Sequence, residues 1–444
     1  MLNRILIFLI SITFIFGGLL IPFNADASEI VTAGEQLEIL TLEKCIELAS
    51  ENSKDLQLAS KQVAQKKESL KQSRAGFLPT LKYGYLASET DDASSTLERN
   101  EANLSLEQPL YTGGKLTAGL RIAKLEYEKA LEDERSAKQQ VIFGVKQCYY
   151  IIWLAEQTLK VTQDSYDYMG RLYQQTKRLY DVGTKSKYDL LMAQTEFEKR
   201  KPDLIEAKNG VIMAKLQLAN LIGLPQNKAF NVKDELSQVQ LPESMALSLE
   251  SILEEAYQMN PEIRNAQKDL AMAKNSIKIA RAGYLPTIGV GGTKTKTSND
   301  PASPPLLNEE ENTFTIAVNL SGVIFNGFKT QSEVTAAKEL EAAAKINESK
   351  KRDDIRLNVQ KAILDLETSL EKARANKAAS NLAKETLRMT QARYDAGMAT
   401  TMDISEVQIK VDQVLIGYYK GISDYIIALA KLDVTLGRDP QSKE

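Results

Sequence analysis

The sequence predicts a mainly helical protein with a small share of membrane-type β structure, built twice from one unit of an amphipathic β-hairpin and a very long helical hairpin. Three observations carry that expectation. Arg74-Ala-Gly-Phe-Leu-Pro-Thr80 recurs 207 residues on as Arg281-Ala-Gly-Tyr-Leu-Pro-Thr287, and Leu179-Tyr-Asp-Val-Gly183 recurs 214 residues on as Arg393-Tyr-Asp-Ala-Gly397. Period-2 alternation of apolar and polar residues follows each copy of the first motif. Between Gly114 and Tyr180 there is no proline, and from Val145 to Tyr180 heptad positions step by three and four without a break.

The chain opens with Arg4, an apolar run from Ile5 to Leu20 and Ala25-Asp26-Ala27, the charged, apolar and small-residue parts of a signal peptide spanning residues 1–27. Nothing after residue 27 approaches the roughly 18 uninterrupted apolar residues of a spanning helix, so a membrane crossing has to be made by strands. Residues 28–225 form the first repeat, with strands at about 78–88 and 100–110 and a helical hairpin over 114–222. Residues 226–444 form the second, with strands at about 286–296 and 312–321 and a hairpin over 328–436.

In the first strand Leu81, Tyr83, Tyr85 and Ala87 alternate with polar residues, broken only by Leu86. Its partner alternates at Ala102, Leu104 and Leu106. In the second copy Ile288 and Val290 alternate with glycine and threonine, and Phe314, Ile316, Val318 and Leu320 alternate with Thr315 and Asn319. Each run has about the 9 to 11 residues that a tilted transmembrane strand needs. The growth of the repeat offset from 207 to 214 places an exposed loop insertion between Ser298 and Asn312, with Pro301, Pro304, Pro305 and Glu309 to Glu311.

The seam of the first long helix runs through Val145, Cys148, Ile152, Leu159, Met169, Thr176 and Tyr180, and the second keeps the register at Val359, Ala362, Leu366, Ala373, Leu387 and Tyr394. About 65 helical residues at 1.5 Å each span about 100 Å. Glycine stops each helix, at Gly183 and Gly397, and return helices follow from about Lys187 and Asp403, with Pro202 placed to kink the first. Cys45 and Cys148 read as small buried apolar residues.

Composition narrows function. With no histidine, imidazole acid/base catalysis, Ser-His or Cys-His nucleophiles and histidine-ligated metals are excluded together. A net charge of −3, from 56 basic and 59 acidic residues, gives no footprint for nucleic acid. Gly289-Val-Gly-Gly292-Thr-Lys294 lacks P-loop spacing and lies in a strand pattern. No catalytic, cofactor or metal constellation is read. Four strands cannot close a barrel, so the chain has to supply a share of a joint one; three copies give twelve strands and a usable bore.

Taken together, the paired Ala-Gly-aromatic-Leu-Pro motifs, Tyr111-Thr-Gly-Gly-Lys115 with its partner Phe325-Asn-Gly-Phe-Lys329, and the two Tyr-x-x-Gly tips resemble the TolC-like outer-membrane efflux proteins over essentially the whole mature chain. The resemblance implies a homotrimer with a twelve-stranded β-barrel in lipid of the outer membrane of a Gram-negative cell, continuous with a coiled-coil α-helical barrel reaching into the periplasm. It implies a passive exit duct for a tripartite efflux or type I secretion system, with a periplasmic adaptor and an inner-membrane pump or exporter as partners. By position it assigns Asp189, Tyr394, Asp403 and Glu406 to the gated constriction at the tips. Asp189 and Tyr394 would help to hold the tip closed, and Asp403 and Glu406 would ring the pore. The position that often carries a closing arginine is Ala399, which leaves Lys185 and Lys187 as candidate cations. Gly183, Thr184, Gly397 and Thr400 are candidates for adaptor docking, because a glycine turn admits another backbone.

The alternative is a periplasmic adaptor or scaffold, which also carries a helical hairpin, but one that interrupts compact β domains rather than two that dominate the chain. The sequence does not name the cargo.

Overall fold

The computed structural model describes residues 38–438 apart from 93–94, 226–228, 235, 237–240, 243–247 and 299–310. The signal-peptide reading of residues 1–27 and the loop insertion inside the second β-hairpin lie outside the described residues. From Ile39 onward the chain forms one unit.

Strand β1 (Glu38–Leu40) leads into α1 (Leu42–Asn52) and α2 (Lys54–Ala75), which deliver the chain to β2 (Thr80–Asp92) and β3 (Ser95–Thr112). The long helix α3 (Lys115–Asp181) returns through α4 (Lys187–Glu198) and α5 (Arg200–Ile222). The break between the return helices falls at Lys199, where Pro202 cannot donate to the Glu198 carbonyl and its ring crowds that oxygen. Strand β4 (Phe230–Val232) pairs with β1. The same order then repeats as α6 (Leu249–Met259), α7 (Pro261–Arg281), a 3-10 turn at Ala282–Tyr284, β5 (Thr287–Ser298), β6 (Glu311–Ser321), α8 (Lys329–Asp395) and α9 (Thr401–Leu436). α3 and α8 are each 67 residues, about 100 Å at 1.5 Å per residue.

The strands form one antiparallel sheet in the order β2-β3-β5-β6. Cross-strand partners share a face, so Leu81, Leu106, Gly292 and Ile316 make one row and Tyr83, Leu104, Lys294 and Phe314 the next. Their apolar members are exposed, Tyr83 to 90%. The opposite face carries the rows Lys82, Ser105, Thr293, Thr315 and Gly84, Asn103, Thr295, Thr313, together with Leu86, and a Lys82–Glu107 ion pair at 2.8 Å. One face is therefore suited to hydrocarbon and the other to water. β2 and β3 run past the stretch that alternation marks, because the backbone ladder continues through Ser88 to Asp92 after the apolar row has stopped at Ala87. Pro109, which has no amide hydrogen for the ladder, adjoins a register shift before Tyr111.

At the sheet's lower end Gly113 and Gly114 turn the chain from β3 into α3 with φ of 63° and 86°. A Cβ on Gly113 would meet the Ala282 carbonyl at 3.0 Å. The equivalent turn before α8 places Phe328 at φ 64°, its ring edge-on to Phe325 at 5.6 Å.

The helices repeat the sheet's plan. Next to the sheet the order is α2-α3-α7-α8, and farther down it is α5-α3-α9-α8. Two apolar cores fill the middle. One gathers Tyr149, Ile152 and Trp153 of α3 against α1, α5 and β4, with Cys45 and Ala49 inside it. The other gathers Val359, Leu366 and Leu370 of α8 against Ile263 of α7 and Leu432 and Leu436 of α9. α3 buries a wider stripe than one heptad seam, adding Tyr149, Trp153, Val161, Ser165 and Leu172, because it packs on both sides. From the sheet to the tips this unit is thus a slab four elements wide. Its outer edges expose Leu191, Ile205, Ile212 and Met213 on α4 and α5, and Leu357, Leu364, Leu382 and Met389 on α8. No helix among the described residues is long and apolar enough to cross a membrane.

Candidate functional site

The two hairpins turn alike at the end farthest from the sheet. Gly183 and Gly397 take φ of 78° and 74°, a conformation glycine adopts without steric cost. In the first turn the Gly183 amide donates to Tyr180 O and the Thr184 amide to Leu179 O, both at 2.9 Å, and Thr184 Oγ1 donates to Leu179 O at 2.7 Å. In the second, the Gly397 amide donates to Tyr394 O at 2.9 Å and Met398 N to Arg393 O at 2.7 Å. A Cβ at either glycine would point into open space, so backbone conformation rather than crowding selects glycine here. Gly183, Thr184, Gly397 and Thr400 are all exposed.

Each return helix then starts on a reciprocal hydroxyl and carboxylate cap. Asp189 N donates to Ser186 Oγ at 3.1 Å, while the Ser186 amide and hydroxyl donate to Asp189 Oδ2 at 3.1 and 2.7 Å. Asp403 and Thr400 repeat the arrangement at 3.2, 2.7 and 2.8 Å. The Ser186 hydroxyl bond, chiefly, holds the Asp189 carboxyl below its ordinary range, and the Thr400 amide bond does so for Asp403. A lowered carboxyl pKa contributes stability that is present above the unfolded value and lost as pH falls through the folded one. The first turns of α4 and α9 should therefore fray below about pH 4, read as faster amide exchange there relative to the rest of each helix. Ser186→Ala or Thr400→Ala should remove about 1 kcal/mol of local stability already at neutral pH. Unchanged exchange in both variants would rule out the caps as the fastening.

Tyr394 is enclosed, 3% exposed, in a small core with Met169, Leu172, Ala399 and Ile404. Its hydroxyl lies 2.9 Å from Thr176 Oγ1 on α3, which also donates to Leu172 O at 2.9 Å. The Lys185 ammonium sits 4.8 Å over the Tyr394 ring, an attraction of cation to ring face. Lys185 occupies in the first tip the place of Ala399 in the second, so the cation near Tyr394 comes from the first tip. Tyr168 to Gln391 and Gln175 to Asp395 add polar links between α3 and α8. Glu406 is exposed and ion-paired with Lys410 at 2.7 Å, one turn along α9. The structure thus brings Tyr394 and Lys185 together, whereas Asp189, Asp403 and Glu406 bond within the starts of their own helices.

Just inside the tips lies a polar node for which the sequence reading made no allowance. Asp412 accepts from Ser165 at 2.7 Å and from Gln408 at 2.7 Å, with Arg200 at 3.6 Å and only 12% exposed. Burial pushes the Asp412 carboxyl up, against those hydrogen bonds and the Arg200 charge. Beside it Ser405 donates to Glu196 at 2.6 Å. Burial raises the Glu196 carboxyl, but the bonds from Lys199 and Ser405 outweigh it and leave it lowered. The node joins α3, α4, α5 and α9. Its one sequence signal is Ser165, a polar residue within an apolar stripe of α3.

A slab with one apolar and one polar strand face, open apolar edges and a long two-hairpin stalk defines an outer-membrane channel protein. The model of the outer membrane efflux protein family matches residues 45–224 and 252–438, and the chain belongs to that family. It is 25% identical over 402 residues to the outer membrane protein TolC of Vibrio cholerae, covering 88% of this chain and 89% of that protein. It is 23% identical over 435 residues to the alkaline protease secretion protein AprF of Pseudomonas aeruginosa, covering 95% and 87%. A crystal structure of CusC superposes with a TM-score of 0.80 at 19% identity, covering 92% of this chain and 95% of that one. The chain is an outer-membrane exit duct of the kind that serves efflux or secretion systems, and its family is one of channels rather than enzymes. The adaptor alternative is accordingly set aside.

Proposed function

We propose that three copies close edge to edge into a twelve-stranded barrel and a helical barrel below it, and that the duct is gated at the helical tips. The observation that carries this reading is the four-element slab: β2 and β6 each have an open backbone edge, which lipid cannot satisfy. The exposed apolar residues of α5 and α8 lie on the corresponding helical edges. Residues 1–27 are the removed export signal, and the repeats 28–225 and 226–444 each supply two strands and one hairpin.

At the tips, threefold symmetry gathers copies of Asp403 and Glu406 around one axis, giving negative potential where the bore is narrowest. Tyr394, with Thr176 and Lys185, holds the second hairpin against the first in the resting state, and Asp189 fixes the start of the first return helix. Gly183, Thr184, Gly397 and Thr400 present the surface that a periplasmic adaptor grips, linking the duct to an inner-membrane pump or exporter. The relatives include an alkaline protease secretion protein and a cation efflux system protein, and the duct is passive toward either kind of cargo.

A photo-crosslinking residue placed in turn at those four tip positions, in cells that make the adaptor, should give adducts at the tips and none at Lys71, an exposed position on α2. Adducts absent from all four tip positions would contradict tip docking.

A further inference from the structure

Strand β5 carries two lysines on the face that bears the apolar rows. Lys294 shares its row with Leu104 and Phe314, and Lys296 shares the next with Ala102 and Asn312. The next cross-strand row below them contains Leu106 and Ile316, and Tyr83 and Tyr85 continue the two lysine rows on β2. β5 lies between β3 and β6 of its own chain. No neighbouring copy can therefore insert a strand beside these lysines, and among the described residues none of the row neighbours just named is acidic.

An uncompensated lysine on the lipid face costs about 2–4 kcal/mol at the bilayer midplane and about 0–1 near its surface. Lys294 stands seven residues above the start of β5 and Lys296 nine. At about 3.3 Å per residue and a tilt of about 40° those are heights of about 18 and 23 Å, near the top of an apolar band about 25 Å tall. The butyl stems reach farther up, carrying the ammonium groups to the level of the headgroups. The same rows hold Tyr83, Tyr85 and Phe314, the ring types that settle at such a boundary.

We propose that Lys294 and Lys296 form a docking site for the phosphate groups of an outer-leaflet lipid, one per protomer, with the two ammonium groups meeting phosphate and the flanking aromatic and leucine side chains meeting acyl chain. The proposal rests on the reading of the apolar sheet face as lipid-facing. A polybasic contribution of this kind changes lipid affinity about fivefold per lysine.

The test uses the full chain reconstituted in phosphatidylethanolamine vesicles doped with bis-phosphorylated lipid A or with its dephosphorylated form, followed by native mass spectrometry of the lipid that stays bound. Wild type should retain the phosphorylated lipid preferentially. Lys294→Gln with Lys296→Gln should lose about 25-fold in that preference, and Lys82→Gln, on the other face, should keep it. Equal retention of the two lipids by wild type, or an unchanged preference in the double variant, overturns the site. Alkaline extraction of the same vesicles separates this from the underlying reading: extractable wild-type protein would overturn the lipid-facing sheet itself, whereas integrated protein without phosphate preference overturns the lipid site alone.

Discussion

Tyr394→Ala is expected to leave the second tip unfastened and the duct leaky. The ring is enclosed by Met169, Leu172, Ala399 and Ile404, and emptying such a site costs about 3–5 kcal/mol. The loss falls where α8 meets α3, so it acts on the fit between hairpins more than on either helix. Cells carrying the variant should become sensitive to bulky antibiotics that the intact outer membrane excludes. Tyr394→Phe is the informative companion. It removes only the contact with Thr176, whose hydroxyl keeps its bond to Leu172 O, so a loss of about 1 kcal/mol is expected. If phenylalanine leaks as much as alanine, the hydroxyl rather than the packed ring holds the tip, and the packing account fails.

Gly421→Val should damage the stalk more generally. α9 crosses α8 so closely there that a Cβ on Gly421 would lie 2.7 Å from Ala373 Cα, 2.8 Å from its nitrogen and 2.9 Å from its Cβ. Backbone atoms cannot swing aside as a side-chain end can, so the helices must separate, at about 3 kcal/mol or more. Thermal unfolding of the purified assembly should shift down accordingly. Adding Ala373→Gly should rescue only in part, because two of the three close atoms belong to the backbone. Full rescue would show that the Ala373 methyl alone sets the distance.

What the sequence made legible follows from what repeats. The strands, the glycine stops and the capping residues are local, and local chemistry is copied faithfully: Ser186 and Asp189 in one tip, Thr400 and Asp403 in the other. Position within the slab is not copied. Tyr180 and Tyr394 are equivalent in the repeat, yet Tyr180 is 37% exposed and Tyr394 3%. The second tip lies against α3, whereas Tyr180 in the first tip stays partly open. No period in the sequence carries that difference. The family resemblance pointed to Tyr394 and offered Lys185 and Lys187 as cations; the partner Thr176, and Lys185 as the cation over the ring, emerge only in three dimensions.

Buried charge was equally hidden. Glu196, Arg200 and Asp412 sit among the many charged residues of helices that read as solvated surface, and only the packing of α3, α4, α5 and α9 encloses them. Leu86 and Lys294 show the same limit on the sheet. Alternation marks Leu86 as an exception and passes over Lys294, and the cross-strand rows are needed to place Leu86 on the polar face and Lys294 on the apolar one.

The most direct test of a duct closed at its tips is the single-channel conductance of the purified full chain in a planar bilayer, with Tyr394→Ala and Glu406→Gln beside wild type. The account predicts a small wild-type conductance blocked by divalent cations, a severalfold larger one for Tyr394→Ala, and weaker block for Glu406→Gln. Conductance and block identical in all three proteins would contradict it.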